Sequence, residues 1–259
     1  MNRNFMRTVT IINKKGGVAK TTTALALGAR LMELGHRVLH IDLDSQANMT
    51  MTLEADMEQK NILGVLLQQT SLKDAIQQTR LGDIVPAALA LAGADGVLTE
   101  TGKEYRLQEA LDDIKDDYDD IVIDTPPSIG VLSINAMTAS DWLVIPAQAD
   151  MYSRDGLLQL HRAIEKDRKY CNRDLKVAGI LLTRYSSRNV LSKNLKTVFE
   201  DIAEKMETRV FDATIRENIS IKEAQVMHRT IFDYAPTSNG ANDYVAFVTE
   251  LLGIMGQHQ

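Results

Sequence analysis

Five apolar runs punctuate the chain, at residues 9–12, 38–41, 121–123, 142–145 and 177–182. Runs of this kind suit strands of a parallel sheet covered on both faces. Helical periodicity lies between them, at 21–34, 106–114, 132–139, 155–170 and 191–206; the first of these is rich in alanine and leucine and closes at Gly35, a C-terminal cap. Strands alternating with helices predict an α/β fold: a doubly wound, mostly parallel sheet with helices on both faces and ligands at the carboxyl ends of its strands. Residues 49–102 are less regular and read as several short helices with one strand near Ile84 and Val85. Residues 242–252 read as a terminal amphipathic helix. No Ser/Pro/Gly-rich linker, repeat or low-complexity tract divides the chain, so residues 1–259 are expected to form one domain. Residues 112–120, six of nine aspartate, read as a solvated connection between a helix and a strand.

Composition narrows the function classes. The 44% hydrophobic and 25% charged content is ordinary for a globular protein. There is no apolar run of 18 residues to cross a membrane, and the first seven residues lack the apolar centre of a signal peptide. The single cysteine, Cys171, rules out an internal disulfide and fits a reducing cytoplasm. Five histidines show no metal-ligand spacing, and His36 and His40 read as surface or packing residues. The net charge of −6 argues against a generally basic nucleic-acid binder. Its distribution is uneven, however: residues 154–229 carry 16 Lys/Arg against 11 Asp/Glu, and no lysine or arginine follows Arg229. Such segregation permits a basic face on an acidic protein, although an excess of this size is also common on solvated helices.

The most informative stretch is Lys14-Lys15-Gly16-Gly17-Val18-Ala19-Lys20-Thr21-Thr22, between the first strand and the first helix. A flexible loop there aims backbone N–H groups at one spot, and the helix dipole adds partial positive charge, so the spot favours a phosphate. Lys20 can neutralise β- and γ-phosphates, and the Thr21 hydroxyl can ligate Mg²⁺. Relative to G-x-x-x-x-G-K-[ST], Lys14 and Ala19 replace the two glycines. The Ala19 methyl is tolerable if φ is negative and costly if it is positive. The second strand ends in Asp42-Leu43-Asp44, two carboxylates placed to hold a metal-bound water or orient an attacking one. The third run ends in Asp124-Thr125-Pro126-Pro127-Ser128, an acid that can hold Mg²⁺ through water, followed by prolines that stop the strand.

Together these segments resemble the deviant Walker A ATPases of the ParA/MinD family, most closely its Soj-like partition proteins. The resemblance runs through Ile231-Phe232-Asp233-Tyr234 and Ser238-Asn239-Gly240-Ala241. It implies that Lys15 reaches the nucleotide of a second subunit, with Lys15, Lys20 and Asp44 as the catalytic set. Asp44 would position water, and Asp42 would belong to the outer metal shell with Thr21 and Asp124 nearby. Gly16 to Thr22 would cradle ATP and Mg²⁺. Ile215-Arg216-Glu217-Asn218 resembles the family loop on the adenine, but lacks its proline; Ile215, Arg216 and Asn218 are carried over as base-loop residues. Candidate DNA contacts are Arg184, Arg188, Lys193, Lys196, Arg216, Lys222 and Arg229, of which Arg188 aligns best with the family's DNA-binding arginine.

The function so implied is that of a cytoplasmic, nucleoid-associated partition ATPase. It would form an ATP-dependent homodimer, bind DNA without sequence preference and be released by a ParB-like partner. No helix-turn-helix segment is expected before the phosphate loop. A MinD-like membrane ATPase is the first alternative, and the tail after Leu251 lacks the basic residues such proteins use on anionic lipid. A regulatory module, switched by nucleotide with incidental turnover, is the second. Electron transfer of the nitrogenase iron-protein kind needs two cysteines per subunit and is excluded by the one present.

Overall fold

A computed structural model of the chain describes residues 6–186 and 190–256. The elements run β1 (Arg7–Ile11), α1 (Lys20–Glu33), β2 (Val38–Asp42), α2 (Asn48–Thr52), α3 (Ile62–Leu66), α4 (Leu72–Ala75), β3 (Gln77–Thr79) and β4 (Gly82–Val85). They continue with α5 (Ala94–Val97), α6 (Arg106–Leu111), β5 (Asp120–Asp124), α7 (Val131–Thr138), β6 (Trp142–Gln148) and α8 (Met151–Tyr170). The remainder is β7 (Lys176–Thr183), α9 (Val190–Lys205), α10 (Ile219–Val226), α11 (Ile231–Tyr234) and α12 (Asn239–Gly256). The sheet order is β3-β4-β2-β5-β1-β6-β7, parallel except where β3 meets β4. This is the doubly wound arrangement that the strand–helix alternation predicts. The crevice lies where the winding reverses around β1.

Alternation along each strand sorts the core into two layers. Val9, Ile11, Val38 and Val122 face α1 and α12, where Phe211 and Phe247 meet edge to face at 5.1 Å. Leu39, Ile41, Ile121 and Ile123 face the other side, against α3, α6 and α7. Beyond them, Ile12, Leu143, Ile145 and Ile180 pack on α8 and α9. The strands read as apolar runs because both of their faces are covered.

The boundaries differ from the sequence reading in instructive ways. Helix α8 begins four residues early because the Asp150 carboxylate caps it, accepting from Ser153 N at 2.9 Å. Helix α6 ends at Leu111 and gives way to one tight turn at Asp112–Ile114. The polar triplet β3 was not anticipated; it pairs antiparallel with β4, the strand expected near Ile84. The aspartate-rich connection is solvated only in part. Asp120 is fully buried and accepts two hydrogen bonds from the Arg7 guanidinium, at 2.8 and 3.0 Å, with His36 Nδ1 on the same carboxylate. Among the described residues no helix is long and apolar enough to cross a membrane.

His40 packs as the sequence suggested, but more tightly. Its ring is buried on β2, with Nδ1 against the Asp83 carbonyl at 3.1 Å and Nε2 unpartnered facing Gly28 of α1. A Cβ at Gly28 would stand 1.9 Å from that Nε2, so only glycine lets α1 approach the sheet here. Gly28→Ala is expected to destabilise the fold by about 1–3 kcal/mol through overpacking, lowering Tm by roughly 2–12 °C at about 2–4 °C per kcal/mol. An unchanged melting curve would contradict this close approach. Burial also pushes the His40 pKa down to about 4. The unfolded chain takes up that proton near pH 6.5, so stability is lost as pH falls from there toward 4. Urea titrations of wild type and His40→Gln across that window should show a steeper acid loss in the wild type, by up to about 3 kcal/mol.

Candidate nucleotide-binding site

The loop from β1 to α1 is anchored at its start by Asn13, whose Nδ2 donates to the Pro146 carbonyl at 2.7 Å and whose Oδ1 accepts from Lys15 N at 3.0 Å. Gly17 takes φ +73° and Ala19 φ +69°, both left-handed. Ala19 is the N-terminal flanking residue of α1 and supplies no side-chain cap. The positive φ answers the question left by the sequence, since the methyl group sits where an L-residue costs about 1–2 kcal/mol. The first-turn N–H groups of α1, which no helix can satisfy internally, open on a cleft of about 460 Å³ lined by Gly16, Gly17, Lys20, Thr21, Asp44 and Asn218 among others.

Lys20 is 7% exposed. Burial lowers its pKa, and the charges of Asp124 and Asp44 oppose that shift. Its Nζ donates to the Lys15 carbonyl at 3.2 Å. Lys15 itself turns back on its own chain: its ammonium pairs with Asp150 and lies 3.4 Å from Ser153 Oγ. The cap of α8 is thus also the internal partner of Lys15. The Lys14 ammonium meets Gln159 of the same helix, and Gln148 Nε2 holds the Gly17 carbonyl at 2.8 Å.

Parallel pairing sets Asp42 of β2 directly opposite Asp124 of β5. Both carboxylates are fully buried, so their pKa values rise. Burial pushes Asp42 up to about 6 against the hydrogen bonds it accepts from Thr50 and Asp44. Those bonds occupy both of its oxygens: Oδ1 accepts from Asp44 N at 3.0 Å, and Oδ2 from Thr50 N at 2.9 Å and Thr50 Oγ1 at 2.8 Å. Asp124 is raised well above the usual carboxylate range, by burial first and then by the Asp42 charge, with the Thr21 hydroxyl and the Lys20 charge opposing. Its Oδ1 accepts from Thr125 N at 3.1 Å, while Oδ2 is buried without a protein partner. Asp44, 7% exposed, accepts from Gln46 N at 3.0 Å and lines the cleft.

The far wall of the cleft comes from the chain beyond β7. Residues Val210 and Ile215 bridge to Ile180 and Thr183, so this segment runs beside β7 and delivers Ile215 to the cleft. Two carboxylates of α12 hold it there: Glu250 accepts from Asp212 N and Ala213 N, both at 2.9 Å, and Asp243 accepts from Arg216 N at 3.0 Å. Asn218 caps α10, accepting from Ser220 N at 2.8 Å. Gln225 of α10 donates to Thr22 Oγ1, tying this wall to the phosphate loop. Asp150, Thr50, Gln225, Asp243 and Glu250 were not singled out from the sequence. Only the seven-residue spacing of Asp243 and Glu250, one face of a helix, hinted at a shared partner.

The basic candidates divide. Arg184, Arg216, Lys222 and Arg229 line the cleft, and Arg184 has φ +49° with an exposed side chain. Arg216 is bound to Asp243 (2.7 Å), Lys222 to Glu217 (2.6 Å) and Arg229 to Asp233 (2.6 Å). Lys196, 3.9 Å from Glu200, is away from the cleft on α9, the helix that also carries Lys193. Arg188 lies outside the described residues.

Replacing Ala19 by glycine removes the left-handed strain while adding unfolded-state entropy, for a net gain of about 0.5–1 kcal/mol. Thermal unfolding of Ala19→Gly should therefore rise by a few degrees, with no loss of nucleotide affinity by fluorescence titration. A lower Tm would show that the loop is relaxed around the methyl group.

Comparison with known proteins gives this geometry a lineage. A family described as an AAA domain matches residues 6–177. The sporulation initiation inhibitor protein Soj of Bacillus subtilis is 39% identical over 249 residues, covering 94% of this chain and 97% of its own. The chromosome partitioning protein ParA of Caulobacter vibrioides is 36% identical over 259 residues, covering 97% and 96%. Among solved structures, a chain described as cobyrinic acid a,c-diamide synthase from Mycobacterium smegmatis, with bound ATP analog and magnesium, superposes with a TM-score of 0.84 at 34% identity, covering 98% of this chain and 97% of that one. The chain belongs to the ParA/Soj family of deviant Walker A P-loop proteins.

Proposed function

We propose that the chain is a DNA-partition ATPase: it binds Mg²⁺-ATP, pairs with a second copy across the nucleotide, grips DNA without sequence preference and lets go on hydrolysis. The observation that carries this reading is the buried Lys20 ammonium, faced by Asp44 and Asp124, at the mouth of a phosphate-binding loop. Near-complete alignment with Soj and ParA supports the partition role over other uses of the same loop. So does the bound ATP analog and magnesium of the Mycobacterium chain for the ligand.

The residues present fit the ligand. Gly16 to Thr22 offer backbone donors to the phosphates, with Lys20 as the fixed cation. Thr21 would hold Mg²⁺ directly, and Asp124 Oδ2, buried without a protein partner, suits a metal-bound water. Bound Mg²⁺ supplies charge neutralisation on the transferred phosphoryl group. Asp44 orients the attacking water, and Ile215, Arg216 and Asn218 form the wall for the base. Lys15 would leave Asp150 for the partner's nucleotide, so triphosphate binding and pairing compete with an internal ion pair.

DNA contact falls to Arg184, Arg216, Lys222 and Arg229 around the cleft, with Arg188, Lys193 and Lys196 as further candidates. Phosphate contacts would make binding salt-sensitive, and doubling them in a dimer raises avidity. A ParB-like partner would complete transition-state stabilisation that the chain alone leaves unfinished. The reading places the protein in the cytoplasm, on the nucleoid, with no membrane role.

Lys20→Ala should weaken ATP binding by about 10–100-fold, the loss of a charged hydrogen bond, and abolish ATP-dependent retention on DNA. Asp44→Ala should keep ATP-dependent pairing and DNA retention while turnover falls by about 100-fold or more. Size-exclusion chromatography with light scattering, a salt-titrated DNA-binding assay and phosphate release read these outcomes. A wild-type chain that holds DNA equally with ATP, with ADP or with neither would overturn the proposal.

A further inference from the structure

Thr50 belongs to none of the phosphate-site motifs, yet its hydroxyl is the junction between the sheet and the Asp44 turn. The side chain is fully buried on α2. Its Oγ1 is 2.8 Å from Asp42 Oδ2 and 2.9 Å from the backbone nitrogen of Ala87, in the segment after β4. A hydroxyl has one hydrogen and two lone pairs. The Ala87 N–H can only donate, so Oγ1 accepts there and its single hydrogen goes to the carboxylate. Thr50 N donates to the same Asp42 oxygen at 2.9 Å.

With Oδ2 held from one side, the Asp42 carboxylate is fixed in rotation, and its Oδ1 accepts from Asp44 N at 3.0 Å. The turn that follows closes on itself, with Gln46 N on Asp44 Oδ1 at 3.0 Å and Ala47 N on the Asp44 carbonyl at 2.8 Å. Ala47 then takes φ +53°, a left-handed conformation unfavourable for alanine. A turn with strain at its exit needs ties at its entrance. The Thr50–Asp42–Asp44 chain of bonds is that tie. On the neighbouring strand Asp124 sits opposite Asp42 with Oδ2 unpartnered, so the carboxylate suited to a metal's water is Asp124, and Asp42 is spent on the turn.

We propose that Thr50 is a positioning residue for ATP hydrolysis: through Asp42 it holds the turn that presents Asp44 to the nucleotide, and Asp42 serves that turn instead of the outer metal shell. This rests on the ATPase reading above. Two substitutions separate hydroxyl from packing, since Thr50→Val keeps the shape and removes the hydroxyl, whereas Thr50→Ser keeps the hydroxyl and removes the methyl group. Steady-state phosphate release, ATP affinity, the Mg²⁺ concentration for half-maximal rate and Tm are measured for both beside the wild type.

Thr50→Val is expected to lower kcat by about 10–100-fold with KM for ATP and the Mg²⁺ half-saturation within about twofold of wild type, and Thr50→Ser to recover kcat to within about threefold. Three results would overturn the assignment. Thr50→Val could turn over at the wild-type rate. Thr50→Ser could lose as much as Thr50→Val, making the effect one of packing. Or the Mg²⁺ half-saturation could rise in step with the loss of kcat, placing Asp42 on the metal after all. A wild-type chain that binds Mg²⁺-ATP without turning it over would remove the ATPase reading itself, and the role of Thr50 with it.

Discussion

One ammonium, buried at the carboxyl edge of a parallel sheet, sets the terms for the charges around it. An isolated buried cation is unfavourable by several kcal/mol, so Lys20 keeps its proton there only with anions in reach. Asp124 and Asp44 supply them from the ends of β5 and the turn after β2. The sheet that brings Asp124 to the lysine also sets a further acid against it, since parallel register places Asp42 opposite Asp124. Each is resolved differently. Asp42 is quenched by three hydrogen bonds from the protein, and Asp124 keeps one oxygen unbonded beside Thr21 and Lys20. The asymmetry separates the turn-holding acid from the one available to a solvated cation.

The same economy recurs among the loops. The phosphate loop and the Asp44 turn each enter a helix through an alanine at positive φ, Ala19 before α1 and Ala47 before α2. Both conformations persist because neighbours over-determine them. Asn13 and Gln148 fix the first loop, and Asp42 fixes the second. The far wall of the cleft is held similarly from outside, by Asp243 and Glu250 of α12 on five backbone and side-chain donors of the 212–216 segment. In each case side chains bond loop backbone.

Much of the fold was legible because strands covered on both faces carry continuous apolar runs, and β1, β2, β5, β6 and β7 each contain or border one. The phosphate loop was legible for a related reason: its chemistry is local, carried by neighbours in sequence. What escaped lies at sheet edges or depends on distant pairing. Gln77–Thr79 is too short and polar to announce a strand, and forms one only because β4 is beside it. Asp120 looked like one more solvated aspartate in its run, and is buried because Arg7 and His36 converge on it from other elements. Asp150 and Thr50 carry no motif. Their partners are 135 and eight residues away, and only the folded chain brings those groups together.

The distribution of basic residues shows the same limit and bears on how the proposed DNA contact would work. The excess of lysine and arginine across 154–229 permits a basic face, and in sequence is equally compatible with solvated helix surface. In the folded chain Arg216, Lys222, Arg229 and Lys196 each stand beside a carboxylate, and Arg216 makes a forked contact with Asp243 that also ties the 212–216 segment to α12. Surface pairs of this kind contribute little to stability, on the order of 0–1 kcal/mol, but each carboxylate weakens the positive field that a polyanion would meet. A phosphate approaching Arg216 competes with a carboxylate already in place. Under the proposed function, binding through one copy would therefore be weak, and a second copy, doubling the number of such contacts on one duplex, would have the larger effect on retention. The pairing that blunts the basic face is what would make DNA affinity answer to dimerisation.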